Sequence, residues 1–277
     1  MYFNRQVASQ IAGKERAMKI TFLGTRGSLP VFRTDTSRAG GNTTCVQVES
    51  ACLPNNQFLI IDAGSGIKAL EHRVFTEEVR RINLLFTHYH YDHVQGLFLF
   101  GPLYVPTIEF NCYGPLEDKI GPTQMIQQLM RPPFHPVDYH RVLDHVHGKA
   151  IQRPSSMVFV IHSEGGVRLM NLNDFTHLEN TKPHQVKIRS GSYNINECLI
   201  VRMHRAHHPE QTISYRFEER PTGKVFVFLT DHENTDGIPG ETRKYLSGAT
   251  LLVMDCQYSD DEYNSRTSGF GHGSPHF

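Results

Sequence analysis

The chain has 277 residues, with 28 Lys+Arg against 28 Asp+Glu, so its formal net charge is zero with His neutral. That balance removes any global attraction for nucleic acid or an anionic membrane. Hydrophobic content of 39% with 10% aromatics excludes a disordered chain, and 17 histidines with no Trp point to metal binding, proton transfer or pH sensing.

Residues 1–17, MYFNRQVASQIAGKERA, lack the apolar run of a secretory signal and read as a helical or disordered leader. One domain is expected over 18–277, with no clear linker inside it. Residues 18–23 (MKITFL) predict a strand, followed by the glycine loop GTRGS. A polar loop, TDTSRAGGN, leads into a second strand, TTCVQVE. A third, FLIID at 58–62, ends in Asp62-Ala63-Gly64-Ser65-Gly66, with a helix expected from Ile67 to about Phe75. Residues 82–86 (INLLF) are an apolar run of buried-strand type. A helix is expected from near Asp92, bearing Val94, Leu97, Phe98 and Phe100. A strand follows at 108–112, then a helix at 117–130 with Ile120, Met125, Ile126 and Leu129. From 131 to 200 the pattern weakens, with Pro132-Pro133, several histidines and faint strands at 157–161 and 185–189; irregular structure or a lid is expected there. Strands return at 198–203, 212–217, 225–230 and 250–254. Strand-rich halves with interspersed helices predict a layered α+β domain.

The five cysteines (Cys45, Cys52, Cys112, Cys198 and Cys256) are odd in number and form no Cys-x-x-Cys pair. That argues against a disulfide framework or a zinc ribbon and favours free thiols in a reducing cytoplasm. No stretch approaches the roughly 20 apolar residues of a membrane span.

The strongest chemical signal is His88-Tyr89-His90-Tyr91-Asp92-His93. His88 and His90 stand two apart, so in an extended segment they project to one side and reach one ion. Asp92 and His93 lie at the turn into the next helix and can face a second. Imidazole and carboxylate donors suit Zn²⁺, and also Mn²⁺ or Fe²⁺. A His-rich surface turn, or ring packing with Tyr89 and Tyr91, explains a lone His-x-His pair. It does not explain the full string after a strand with Gly96 four residues beyond Asp92. His145 and His147 repeat the two-residue spacing without a comparable carboxylate string, so a solvated loop is the better reading there.

The string resembles the metal motif of the metallo-β-lactamase superfamily, in the form shared by its phosphodiesterase and ribonuclease Z branch. Other landmarks follow in that family's order. Gly24-Thr25-Arg26-Gly27-Ser28 and Gly40-Gly41-Asn42-Thr43-Thr44-Cys45 resemble its opening loops, and Asp62 its first motif. His208-Pro209 with Tyr215-Arg216 resembles the third motif, and Asp231 after VFVFLT the fourth. Asp255-Cys256-Gln257-Tyr258 and Gly271-His272-Gly273-Ser274 resemble the closing segment. The resemblance implies an αββα sandwich, two mixed sheets flanked by helices, with two divalent ions at one edge. It implies that His88, His90 and His208 hold one ion, that Asp92, His93 and His272 hold the other, and that Asp231 bridges. Asp62 is then expected to orient a ligand rather than bind. His207 rivals His208, and Asp255 rivals Asp231. Family members continue past the last motif with a helix and strand, whereas this sequence runs five residues beyond His272, so a shortened C-terminal layer is expected.

Two ions can activate water and clamp an oxyanion, so no Ser or Cys nucleophile is needed. The expected function is a metal-dependent phosphodiesterase that cleaves a small cyclic phosphodiester or nucleotide by metal-held hydroxide. Loops 24–28 and 40–44 are candidates to offer N–H groups to a phosphate. Asp92 and Asp231 carry the chemistry through the ions, and His207, His232 and Asp255 are candidate proton donors by position. A ribonuclease Z-like RNA nuclease is the nearest rival. Against it stand Met254-Asp255-Cys256-Gln257 in place of that enzyme's His-Glu-Ala-Thr segment, and an interval of only 23 residues from His208 to Asp231. Zero net charge also favours a small molecule over nucleic acid. A thioester or lactone hydrolase and a non-catalytic metal-binding scaffold remain as alternatives, and a homodimer is expected by analogy alone.

Overall fold

The computed structural model describes residues 17–36, 38, 40–233, 237–264 and 271–274. Most of the 1–17 leader therefore lies outside the described residues.

Two six-stranded sheets dominate. The first runs in chain order through β1 (Lys19–Gly24), β2 (Cys45–Glu49), β3 (Gln57–Ile61), β4 (Arg81–Leu85), β5 (Glu109–Pro115) and β6 (Val146–Ile151). Pairing is antiparallel from β1 to β3 and parallel from β3 to β6. The second sheet contains β7 (Met157–His162), β8 (Gly166–Asn171), β11 (Leu199–Arg205), β12 (Ile213–Glu219), β13 (Lys224–Leu229) and β14 (Leu251–Met254). Its order is β14-β13-β12-β11-β7-β8, with only β13 and β14 parallel. β9 (Gln185–Ile188) and β10 (Gly191–Asn194) form a separate hairpin.

The period-2 rule for strands explains the layering. In β3, Leu59 and Ile61 face the second sheet, packing in one core with Phe159, Val201 and Phe217. Phe58 and Ile60 point the other way, into a core with Val74, Val94 and Ile126 from the covering helices. A strand covered on both faces must be apolar throughout, hence the continuous run in FLII. The helices on that outer face are α1 (Glu71–Thr76), α2 (Tyr91–Val94) and α3 (Pro122–Leu129). On the outer face of the second sheet, α4 (Leu172–Asn180) packs Phe175 on Val158, Val160 and Ile200. α5 (Gly240–Leu246) packs Leu246 with Val227 and Leu229. A last short helix, α6, spans Asp260–Asn264.

The expected αββα sandwich is therefore present. The weak segment 131–200 is corrected: it holds β6 to β10 and α4, not a lid. β7 lies between β11 and β8, with five of its six residues buried. β6 is exposed at its four middle positions, so its apolar signal was faint. Three helices are shorter than expected: the one expected from near Asp92 through Phe100 ends at Val94 and gives way to a 3-10 turn at Leu97–Leu99. The one expected from Ile67 begins as a 3-10 turn over Ser65–Leu70 before α1. α3 starts at Pro122, because proline suits the first helical position.

Cys45, Cys52, Cys112 and Cys198 are buried free thiols, and Cys256 is exposed and free. Among the described residues, no helix is long and apolar enough to cross a membrane.

Candidate metal centre

The proposed ligands and the carboxylates that orient them follow strand ends from both sheets. Asp62 succeeds β3, His88 lies three residues past β4, and Asp231 and Asp255 follow β13 and β14. Asp62 and Asp231 have φ of 57° and 47°, a left-handed turn at which each strand stops. Aspartate tolerates this conformation better than most residues, but it is still costly, and such strain concentrates at functional sites.

Asp62 is fully buried and ties the motif together. Its Oδ1 accepts the Thr87 N–H at 2.8 Å. Its Oδ2 accepts the Thr87 hydroxyl at 2.9 Å and the His93 Nδ1–H at 2.8 Å. Burial raises its pKa against the opposing pull of His93 and Thr87. Gly96 is required behind this turn, since a Cβ there would sit 2.1 Å from the Gly64 carbonyl oxygen.

Three histidines use Nδ1 outward and leave Nε2 for the centre. His93 donates to Asp62, and His208 Nδ1 donates to the Gly271 carbonyl at 3.1 Å. His272 Nδ1 meets Asp255 Oδ2 at 2.9 Å. Metal-binding imidazoles are oriented in this way, because the outer hydrogen bond fixes the ring and its tautomer. The Nε2 atoms of His88, His93 and His272 converge on Asp231 Oδ2, at 3.4 Å, 3.3 Å and 4.0 Å. Donor atoms of His88, His90, His208 and Asp231 lie within 4.8 Å of one another, and so do those of Asp231, Asp255 and His272. Asp231 belongs to both groups. Asp92 Oδ2 lies 3.6 Å from His93 Nε2 and accepts the Ser28 N–H at 2.9 Å.

Electrostatics match this crowding. Burial, then the neighbouring His93, pushes His88 well below its usual range. Burial also lowers His208, against the Gly271 carbonyl. Burial alone would raise Asp231, but His93, His88 and His272 draw it well down. Burial opposes charge on His93, and Asp231 and Asp62 overcome it.

The donor set fits a divalent cation. His88 Nε2 and His208 Nε2 are buried and have no hydrogen-bond partner among the described residues. Buried polar atoms are seldom left so, and facing lone pairs call for a cation.

The centre borders a cleft of about 580 Å³, lined by His88, His90, Asp92, Asp231 and His272. Pro115, Ile120, Met125 and Leu129 line an apolar wall, and Gln128 and Gln211 add polar groups.

All seven proposed ligands thus meet at one rim. His207 and His232 do not line the cleft. The His207 N–H donates to His232 Nδ1 at 2.9 Å, and its ring donates to the Glu233 carbonyl at 3.0 Å. Burial and then His207 push His232 down to about 4. Asp255 is engaged by His272 and by the Gly273 N–H at 3.3 Å. The glycine loops also use their own donors: Thr25 and Arg26 N–H go to the Asn42 carbonyl, and Ser28 N–H goes to Asp92. His145 Nε2 bonds the Leu103 carbonyl at 2.9 Å, away from any such cluster. Sequence reasoning missed Glu210, whose Oε2 lies 3.2 Å from His90 Nε2 and 3.3 Å from His208 Nε2. Only its place two residues after His208 hinted at it.

Residues 58–276 match the family described as the beta-lactamase superfamily domain. The chain belongs to this superfamily. Its members with the metallo-β-lactamase fold are mostly metal-dependent hydrolases. Solved structures agree on the fold. The metallo-β-lactamase fold protein YhfI of Bacillus subtilis is 16% identical, with a TM-score of 0.53 over 94% of this chain and 78% of that one. A diphosphatase of the PhnP family is also 16% identical, with a TM-score of 0.53 and coverage of 94% and 79%. Unliganded yeast PDE1 is 12% identical, with a TM-score of 0.55 and coverage of 93% and 79%. No curated protein sequence is significantly similar to the chain.

Proposed function

We propose that the protein is a dinuclear-metal phosphodiesterase acting on a small cyclic phosphodiester or nucleotide. The observation that carries this reading is the place of Asp231. One carboxylate faces His88, His93 and His272 beside a cleft, and it belongs to both donor groups. His88, His90, His208 and Asp231 would hold one cation, and Asp92, His93, His272 and Asp231 the other. Zn²⁺ suits the donors, and Mn²⁺ or Fe²⁺ are compatible. When bound, such a pair supplies a nucleophilic water at neutral pH and offsets charge on the phosphoryl oxygens.

The remaining roles fall to the protein itself. Asp62, the Gly271 carbonyl and Asp255 hold the His93, His208 and His272 rings in register. The apolar wall from Pro115 to Leu129 takes the non-reacting part of the substrate and excludes water. A cleft of about 580 Å³ suits a small molecule. The stretch from His208 to Asp231 folds as the tight β12–β13 hairpin, with no arm to grip RNA. The names of two fold neighbours, a diphosphatase and PDE1, support a phosphoryl substrate. Buried free thiols support a reducing, cytoplasmic location.

The test combines metal analysis with turnover of bis(p-nitrophenyl) phosphate and cyclic nucleotides. Two equivalents of metal and diester cleavage are expected. His90→Ala and Asp231→Ala should each lower kcat/KM by more than about 100-fold, beyond the range for residues that only orient ligands. Hydrolysis of thioesters or lactones, with no diester turnover by metal-loaded protein, would refute the reading.

A further inference from the structure

Among the described residues, Glu210 is the one carboxylate at the centre that neither the sequence motif nor the proposed function employs. Its side chain is 44% exposed, yet Oε2 is buried and has no hydrogen-bond partner among the described residues. That oxygen faces His90 Nε2 at 3.2 Å and His208 Nε2 at 3.3 Å. The second of these nitrogens is equally without a hydrogen-bond partner. An ion pair of ordinary kind would place a proton between the atoms with hydrogen-bond geometry, at about 2.7–2.9 Å. Coordination geometry explains the spacing better. Bonds of about 2.1 Å put neighbouring donors of a five-donor set about 3.0 Å apart at right angles and about 3.6 Å apart at 120°. The Glu210 contacts fall in that interval, as does the contact of His88 Nε2 with Asp231 Oδ2 at 3.4 Å.

The local chain holds Glu210 in this place. On one side, Pro209 follows His208, whose ring is fixed by the Gly271 carbonyl. On the other, the Gln211 N–H donates to Glu117 Oε2 at 2.7 Å, tying the loop to the cleft wall. Glu210 itself lines the cleft, together with His88, His90 and Asp231.

We propose that Glu210 is a further, displaceable ligand to the cation held by His88, His90 and His208, occupying the position that a substrate oxygen takes. This rests on the metal-centre reading above. The exchange keeps the charge of the cation's ligand set, because a phosphoryl oxygen anion takes the position of a carboxylate anion that swings aside into the cleft. Glu210 thereby shields the cation in the resting protein and yields only to an anionic ligand. A neutral ester oxygen does not compensate for the carboxylate it displaces, so the residue favours phosphodiesters over neutral esters.

Cobalt(II) serves as the probe, because its visible absorption reports coordination number and donor set independently of turnover. Parent, Glu210→Gln and Glu210→Ala proteins are titrated with Co²⁺ against a competing chelator, then with inorganic phosphate. Both variants should bind the ion about tenfold or more weakly, on the scale of lost metal-site partners. Their absorption should differ from the parent's before phosphate is added and converge on it afterwards. Phosphate itself should bind more tightly to the variants, which lack the competing carboxylate. Spectra and Co²⁺ affinity identical to the parent's would overturn the proposal for Glu210 while leaving the metal centre intact. A parent protein that takes up no Co²⁺ would instead overturn the centre, and the proposal with it.

Discussion

Asp62→Asn tests whether the metal site is built from behind. The substitution keeps the shape of the side chain but replaces one carboxylate oxygen with an N–H₂ group, which cannot accept. Asp62 receives three donors: Thr87 N–H and hydroxyl, and His93 Nδ1–H. If the asparagine oxygen faces His93, the buried Thr87 N–H loses its acceptor, at a cost of about 1–3 kcal/mol. If it faces Thr87 instead, His93 must turn to the other tautomer. Its proton then moves to Nε2, the atom 3.3 Å from Asp231 Oδ2, and blocks metal binding. The neutral amide escapes the burial penalty that raises the Asp62 pKa, which offsets part of the loss. The net expectation is about 1–3 kcal/mol of lost stability and about 10–100-fold weaker metal binding. Urea unfolding of the chelator-treated protein measures the first, and chelator competition the second. A variant that unfolds at the parent's midpoint and holds metal equally well would show that Asp62 merely caps the turn.

Gly271→Ala should dislodge His208, since φ is +85° and the added Cβ would lie 2.0 Å from its Nδ1. Strain of about 1–3 kcal/mol and loss of metal are expected; a full metal complement by elemental analysis would speak against it. Burial lowers His204, against the pull of Glu241, so the folded chain keeps this ring neutral where the unfolded chain protonates it. Its contribution to stability is present above about pH 6.5 and is lost as pH falls through the lowered folded pKa. His204→Gln retains a partner for the Thr242 hydroxyl, which lies 3.1 Å from His204 Nε2. In chelator-treated protein it should lose less stability than the parent between pH 7 and pH 5. Equal losses in urea titrations at the two pH values would count against this origin.

Some of the protein is written locally. His88, His90, Asp92 and His93 lie within six residues, so strand and turn geometry alone predicts that they face one place. The run FLII announces β3 because both of its faces are covered. The sandwich was legible for the same reason, as most of its strands carry apolar runs. β6 was not, because four of its six residues are exposed and pairing rather than side-chain burial defines it. The centre needed the tertiary structure wherever its partners are remote in sequence. His208 and Gly271 are 63 residues apart, and their hydrogen bond exists only because two loops meet at one rim. Spacing could nominate Asp231 but not place its oxygen among three imidazoles. Position beside a ligand nominated His207 and His232, and packing placed both outside the cleft. Glu210 gave the opposite result: it is unmarked in the string, but brought to His90 by the loop that carries His208. Short-range periodicity fixes which way neighbouring side chains point, whereas packing of the two sheets decides which strand ends meet. The sequence by itself therefore determined one half of the metal centre, and the fold completed it.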